Sequence, residues 1–230
     1  MRSLILLLVL PACSTSDDGP GSGPEPGSCE AAPAEQSGEG TYYSADGTGN
    51  CSFGASPNDL MVAALNAPDY QSAALCGACL EVSGPNGTVT VRVVDQCPEC
   101  KHGDLDLSPQ AFQKLAPLSA GRVPITWHQV ACNVTGPIAY HFKDGANAYW
   151  TAIQIRNHRY PIAKLEAKQG DAYVSIPRLA YNYFVQESGL GPGPYTLRVT
   201  DTRGHTVEDT NVALGDSVTR TGSHQLESCP

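Results

Sequence analysis

Basic side chains are scarce in this sequence: 14 Lys and Arg stand against 23 Asp and Glu, a formal charge of −9. The deficit is uneven. Residues 1–37 carry −4, residues 38–134 carry −5, and residues 135–230 hold nine charges of each sign. An acidic front and a neutral back exclude nucleic acid, whose phosphates need a basic face, and leave a neutral polymer as the better partner. Long apolar runs are also missing. Leu4–Leu10 is apolar over seven residues, whereas a membrane-spanning helix needs about 20. The six histidines show no ligand spacing, so no metal and no cofactor is expected.

What the N-terminus does hold is the order of an export signal over residues 1–12: Arg2, the apolar run, then Pro11-Ala12 ahead of Cys13. Leu10-Pro11-Ala12-Cys13 also resembles a bacterial lipobox, in which Cys13 is lipidated after cleavage; plain secretion is the alternative. Residues 13–37 are Gly, Pro, Ser and acid with almost nothing to bury, the composition of a disordered tether. The first domain is expected over 38–134 and a second over 135–229.

Nine cysteines are present, eight of them beyond Cys13. Cys76-x2-Cys79 and Cys97-x2-Cys100 have the general spacing of a zinc ribbon. An exported chain meets oxidising conditions, and a ribbon would leave four cysteines unexplained, so disulfides are the expectation. Spacing alone does not give their connectivity.

The stretch Thr88–Phe112 carries the chemistry. Val89, Val91 and Val93 alternate with Thr88, Thr90 and Arg92, a strand with one apolar face. Asp95 shares the valines' parity, so an unbroken pleat points its carboxylate the same way, which is sensible only if the sheet opens there into a cleft. In Gly103-Asp104-Leu105-Asp106-Leu107 both aspartates fall on one side and both leucines on the other. Ser108-Pro109 then reads as a helix start, with Phe112, Leu115 and Ala116 as one buried stripe. Gly84-Pro85-Asn86-Gly87 reads as a hairpin turn with Asn-Gly at its tip. Ile125–Val130 is a last alternating strand, and closing such short strands into a barrel removes exposed edges. From Ile138 onward short alternating strands are separated by turns at Lys168–Asp171 and Asp201–Gly204, the pattern of a sandwich.

CGACLEV from Cys76, VVDQCPEC from Val93 and GDLDLSPQAF from Gly103 resemble the first domain of expansins, the non-hydrolytic wall-loosening proteins, and the likeness extends to about Val218. It implies an all-β fold: a six-stranded double-psi β-barrel related to family 45 endoglucanases, followed by an immunoglobulin-like β-sandwich that acts as a family 63 carbohydrate-binding module. Carried over by position, the resemblance places Asp106, Asp95 and Thr41 in a groove, with Asp106 matching the endoglucanases' general acid. Where relatives carry a second groove threonine this chain has Tyr43, and where they carry a Tyr it has Cys97. In the sandwich it matches a row of three aromatics to Tyr149, Trp150 and Tyr181, with Lys143 assisting. It implies the pairs Cys51–Cys76, Cys79–Cys132 and Cys97–Cys100, leaving Cys29 with Cys229.

Inverting hydrolysis needs a proton donor and, roughly 6.5–9.5 Å away, a carboxylate that activates water. In the resemblance the base comes from the first strand, where this chain has Ala45; Asp46, one residue on, reads as a turn residue. The expected activity is therefore wall loosening without cutting. The expected partner is cellulose or another plant or bacterial wall polysaccharide, bound by a secreted monomer that meets a membrane only through a lipid anchor. An endoglucanase using Asp46, a lytic transglycosylase of the lipoprotein-A type and a pure binding module are the alternatives. Tyr149 and Trp150, adjacent in sequence, can share a surface only if the chain bends between the ladders.

Overall fold

The computed structural model describes residues 34–229. The expected export segment, Cys13, Cys29 and most of the expected tether lie outside those residues. Six strands close into a barrel: β1 (Gln36–Tyr42), β2 (Val62–Asn66), β3 (Cys79–Gly84), β4 (Gly87–Cys97), β5 (Leu105–Leu107) and β6 (Val123–Val130). Their order around the barrel is β1-β5-β2-β4-β3-β6, and β1–β5 and β2–β4 run parallel. Two short helices, α1 (Ala67–Tyr70) and α2 (Pro109–Leu115), follow β2 and β5. The barrel is filled from inside by Leu65, Leu80, Val82, Val91, Val93, Leu105, Leu107 and Ile125, with Trp127 donating its indole N–H to the Gly103 carbonyl at 2.8 Å. Each such aliphatic contributes on the order of 2 kcal/mol by leaving water.

Sequence patterning located most of these elements. The Ser108 hydroxyl caps α2 by accepting the Ala111 N–H at 3.1 Å, and Ala111, Phe112, Leu115 and Ala116 are buried. In the β3–β4 hairpin Gly84 pairs with Gly87, so the two turn residues are Pro85 and Asn86 and the tip lies one residue earlier than expected. The first strand also begins at Gln36, inside the expected tether. Gln36-Ser37-Gly38 has no apolar alternation; the ladder to Trp127, Thr126 and Ile125 of β6 recruits it, so pairing overrides propensity.

One expectation fails in an informative way. The pleat of β4 is broken: Ala63 of β2 pairs with Val93 but the next residue, Ala64, pairs with Asp95, leaving Val94 as the extra residue of a β-bulge. The bulge reverses the parity. Asp95 therefore does not point where the valines point; it faces outward beside Ala64.

The remaining strands form two four-stranded sheets. They are β7 (Ala139–Phe142), β8 (Thr151–Arg156), β9 (Ile162–Gln169), β10 (Ala172–Ile176), β11 (Phe184–Gln186), β12 (Tyr195–Asp201), β13 (Thr206–Val212) and β14 (Thr219–Thr221). One sheet is ordered β10-β9-β12-β13 and the other β11-β8-β7-β14. Tyr140, Phe142, Ile153, Leu165, Leu197 and Val199 interlock between them. β11 and β14, three residues each, carry too little pattern to be seen in the sequence.

The barrel and the sandwich meet through polar contacts. Gln154 and Asn182, both buried, donate to the Cys51 carbonyl at 2.8 and 3.1 Å. Asn50 and Tyr70 both donate to the Ala180 carbonyl at 3.1 Å, and the Cys132 N–H donates to Arg159 O at 2.9 Å.

Candidate functional site

The row of paired residues across four adjacent strands is Thr41 (β1), Asp106 (β5), Ala64 (β2) and Asp95 (β4). Alternation explains it: Leu105 and Leu107 take the barrel interior, so Asp106 is turned out, and the bulge turns Asp95 out beside it. The Thr41 hydroxyl donates to Asp106 Oδ1 at 2.6 Å. Burial pushes the Asp106 carboxyl above the usual range, the Thr41 hydrogen bond opposes that, and the charge of Glu99 adds to it. Asp106 is thus a carboxyl that keeps its proton more readily than an exposed one.

Asp95 and Asp106 are two strand spacings apart, about 10 Å between backbones. Oδ1 of Asp95 accepts two backbone N–H groups, from Asn50 at 2.7 Å and Gln96 at 2.8 Å. The loop can come this close because residue 49 is glycine; a Cβ there would lie 2.4 Å from Asp95 Cβ. Tyr43, two residues beyond Thr41, keeps a buried hydroxyl with no hydrogen-bond partner among the described residues. Burial and then the charges of Asp95, Asp106 and Asp46 push its phenol up, so it stands as a neutral donor. Asp46 is exposed and turned into its own loop, accepting the Thr48 N–H at 2.8 Å and the Thr48 hydroxyl. Those bonds hold its carboxyl below the usual range, the opposite of what a water-activating base requires. Asp104, on the same side as Asp106 by alternation, is spent on the N–H groups of Glu39 and Lys101.

A cavity of about 330 Å³ flanks Asp106, bounded by Thr41, Glu39, Arg122, Glu99 and the Cys97–Cys100 disulfide. Cys97 thus gives this wall a disulfide. Glu99 was not singled out from sequence; its place on the pinned Cys97–Cys100 turn was the available signal. The other observed bonds are Cys51–Cys76 and Cys79–Cys132, which use both halves of the apparent Cys76/Cys79 pair separately and rule out the ribbon. Cys229 is disulfide-bonded as well; its expected partner Cys29 is outside the described residues.

On the sandwich, Asn147 and Trp150 close a turn through bonds of 2.8 and 3.3 Å just before β8. That bend lets Tyr149, 84% exposed, and Trp150 leave the ladder together. Trp150 and Tyr181 pack against one small apolar cluster formed by Ala152, Tyr183 and Val185. Lys143 Nζ sits 5.9 Å from the centre of the Tyr183 ring, and Tyr181 and Tyr183 are 5.8 Å apart. Tyr183 is the anchor that sequence reasoning missed; it sits two residues beyond Tyr181, across a turn in which Asn182 takes a left-handed backbone (φ 65°). Ala180, which accepts the two barrel hydrogen bonds, immediately precedes Tyr181, so groove and aromatic surface are joined at one point.

A closed double-psi barrel with a carboxylate-lined groove, fixed to a β-sandwich with surface aromatics, defines a barrel-plus-sandwich class of protein. A family model described as lytic transglycolase matches residues 62–127. Expansin-YoaJ of Bacillus subtilis is 41% identical over 167 residues, 71% of this chain and 72% of that protein. Expansin-like protein 5 of Dictyostelium discoideum is 32% identical over 203 residues, 82% and 84% of the two chains. The crystal structure of the apo expansin of Clavibacter michiganensis superposes with a TM-score of 0.78 at 34% identity, covering 84% of this chain and 98% of that one. An Asp-to-Asn variant of the same expansin, solved with cellohexaose, gives 0.79. The chain belongs to the expansins.

Proposed function

We propose that this protein binds cellulose or a related β-glucan through Trp150, Tyr149 and Tyr181 with Lys143, holds a glucan strand in the groove of Thr41, Tyr43, Asp95 and Asp106, and weakens contacts between polymers without hydrolysing them. Flat sugar faces stack on aromatic planes without needing charge, which suits a sandwich domain with balanced charge. The cellohexaose complex of the Clavibacter expansin supports a glucan as ligand.

The observation that carries the non-hydrolytic reading is the state of the carboxylates around Asp106. The position matching the endoglucanases' base, three residues beyond the end of β1, is Ala45; Asp46 is folded into its own turn, and Asp95 has Oδ1 committed to two amides. Asp106 then hydrogen-bonds sugar hydroxyls, and Thr41 orients it. Cellulose pull-down, reducing-end release and paper creep on the wild type, Asp106→Asn, Asp95→Asn and Trp150→Ala test this. Binding falls about tenfold or more, about 1.4 kcal/mol, only in Trp150→Ala; creep is lost in all three; no variant or wild type releases sugar. Reducing ends that appear with the wild type and vanish in Asp95→Asn would overturn the reading and make Asp95 the base.

A further inference from the structure

A second cavity, of about 500 Å³, lies where the barrel meets the sandwich and shares no lining residue with the groove. Two guanidinium groups face it, Arg92 from β4 and Arg156 from β8. Arg92 has the parity opposite to Val91 and Val93; Arg156 continues the face of Ala152 and Gln154. Among the described residues neither has a carboxylate partner. Arg156 donates through Nε to Gln154 Oε1 at 2.7 Å and through a terminal nitrogen to Ser52 O at 3.5 Å, while among the described residues the Arg92 Nε, shut off from water, finds no acceptor. Arg92 is held over the Phe53 ring, 5.6 Å from its centre. Burial pulls Arg156 below the usual guanidinium range, opposed by the Tyr183 hydroxyl and aided by the charge of Arg92, and His158 beside them is held neutral.

Two partly buried like charges and an orphaned donor mark a place where an anion is missing, since burying unpaired charge is costly. Net charge does not explain the pair, because the chain is acidic overall. The rest of the wall narrows the class of anion. Phe53, Met61 and Val134 supply an apolar side, and Ser56 with the exposed carboxylate of Asp59 stands at the rim. A bare inorganic anion would use the arginines and leave the apolar side and the rim groups without a partner. A sugar acid uses everything: carboxylate to the guanidinium groups, where planar bidentate pairing is strong, ring face to the apolar side, hydroxyls to Asp59 and Ser56.

We infer that this interdomain cavity binds a uronic acid residue of an acidic polysaccharide, separately from the glucan surface. The test is titration of the isotopically labelled full chain with galacturonic acid, its neutral methyl ester, glucose and acetate, followed by NMR. Galacturonic acid shifts Arg92, Arg156 and Phe53 signals; the methyl ester and glucose do not, and acetate binds at least tenfold more weakly. Arg92→Gln and Arg156→Gln each weaken galacturonic acid at least tenfold while cellulose pull-down stays at wild-type level. Equal binding of the ester and the acid would overturn the inference without using any variant, as would acetate binding as tightly as the sugar acid. Because cellulose pull-down is read in parallel, failure here is distinguishable from failure of the glucan surface.

Discussion

Acid should weaken this protein through one residue. His158 is buried at the junction, its Nδ1–H donating to Tyr160 O at 2.8 Å and its ring packed so closely on Gly77 that a Cβ there would lie 2.5 Å away. Burial, with further pressure from the charges of Arg92 and Arg178, pushes its pKa down to about 4. In the unfolded chain it returns to about 6.5. Between those values the unfolded chain takes up a proton that the folded chain refuses, so stability falls as pH falls, beginning below about 6.5 and levelling off below about 4. At 1.36 kcal/mol per unit the whole loss is on the order of 3 kcal/mol, a large part of a typical 5–15 kcal/mol stability. The variant His158→Asn keeps a donor for Tyr160 O and removes the titration. Urea unfolding of both proteins between pH 7.5 and 4 gives the difference in stability at each pH, in which the carboxylates common to both cancel. The wild type's advantage should shrink by about 3 kcal/mol across the range by the same linkage. An advantage that stays constant within about 0.5 kcal/mol, well below that linkage term, refutes the argument.

Asp106 has the opposite sense. Its folded-state pKa is raised, so its ionisation costs stability as pH rises through that value and the cost is absent below the ordinary aspartate range; Asp106→Asn should therefore raise Tm at pH 7 and lose that advantage at pH 3. Gln154→Leu removes a donor to Cys51 O and strips Arg156 Nε of its acceptor. It should cost about 2–4 kcal/mol, the range for a buried bond to a charged group plus an orphaned donor, seen as a lower urea midpoint, and creep should fall while cellulose pull-down is retained.

How far the sequence could be read depended on whether a feature was local. The Leu105/Leu107 alternation with Asp106 between them, the Ser108-Pro109 helix start and the strand parity of β6 are set within a few residues, and all three stand in the structure. The direction of Asp95 was not local: it depends on which residue of β2 pairs with it, and Val94 breaks the count. The same holds for Tyr183, whose role follows from its contact with Trp150, Tyr181 and Lys143 across the outer face of β8 and β11. Arg92 looked like the wet side of an ordinary strand; only the approach of β8, 64 residues later by number at Arg156, makes the pair. Tether and strand could not be separated at Gln36–Gly38, because those residues hold their place through backbone pairing alone.

These non-local features converge on Asn50 and Cys51. The Cys51 N–H bonds to the carbonyl of Val94, the bulged residue. Its side chain is tied to Cys76, and its carbonyl receives both Gln154 and Asn182 from the sandwich. The Asn50 N–H fixes Asp95, and its side chain reaches Ala180, next to Tyr181. An apolar junction could slide over several arrangements at little cost, since hydrophobic burial is non-directional. Hydrogen bonds to fixed carbonyls cannot, because their strength falls steeply with angle and distance. The function proposed above, holding polymers without cutting them, has only geometry with which to act. With Asp95 held by the backbone N–H of Asn50 and Tyr181 one residue beyond Ala180 at the other end of the Asn50 side-chain bridge, next to the Cys51–Cys76 disulfide, the groove and the aromatic surface keep one orientation.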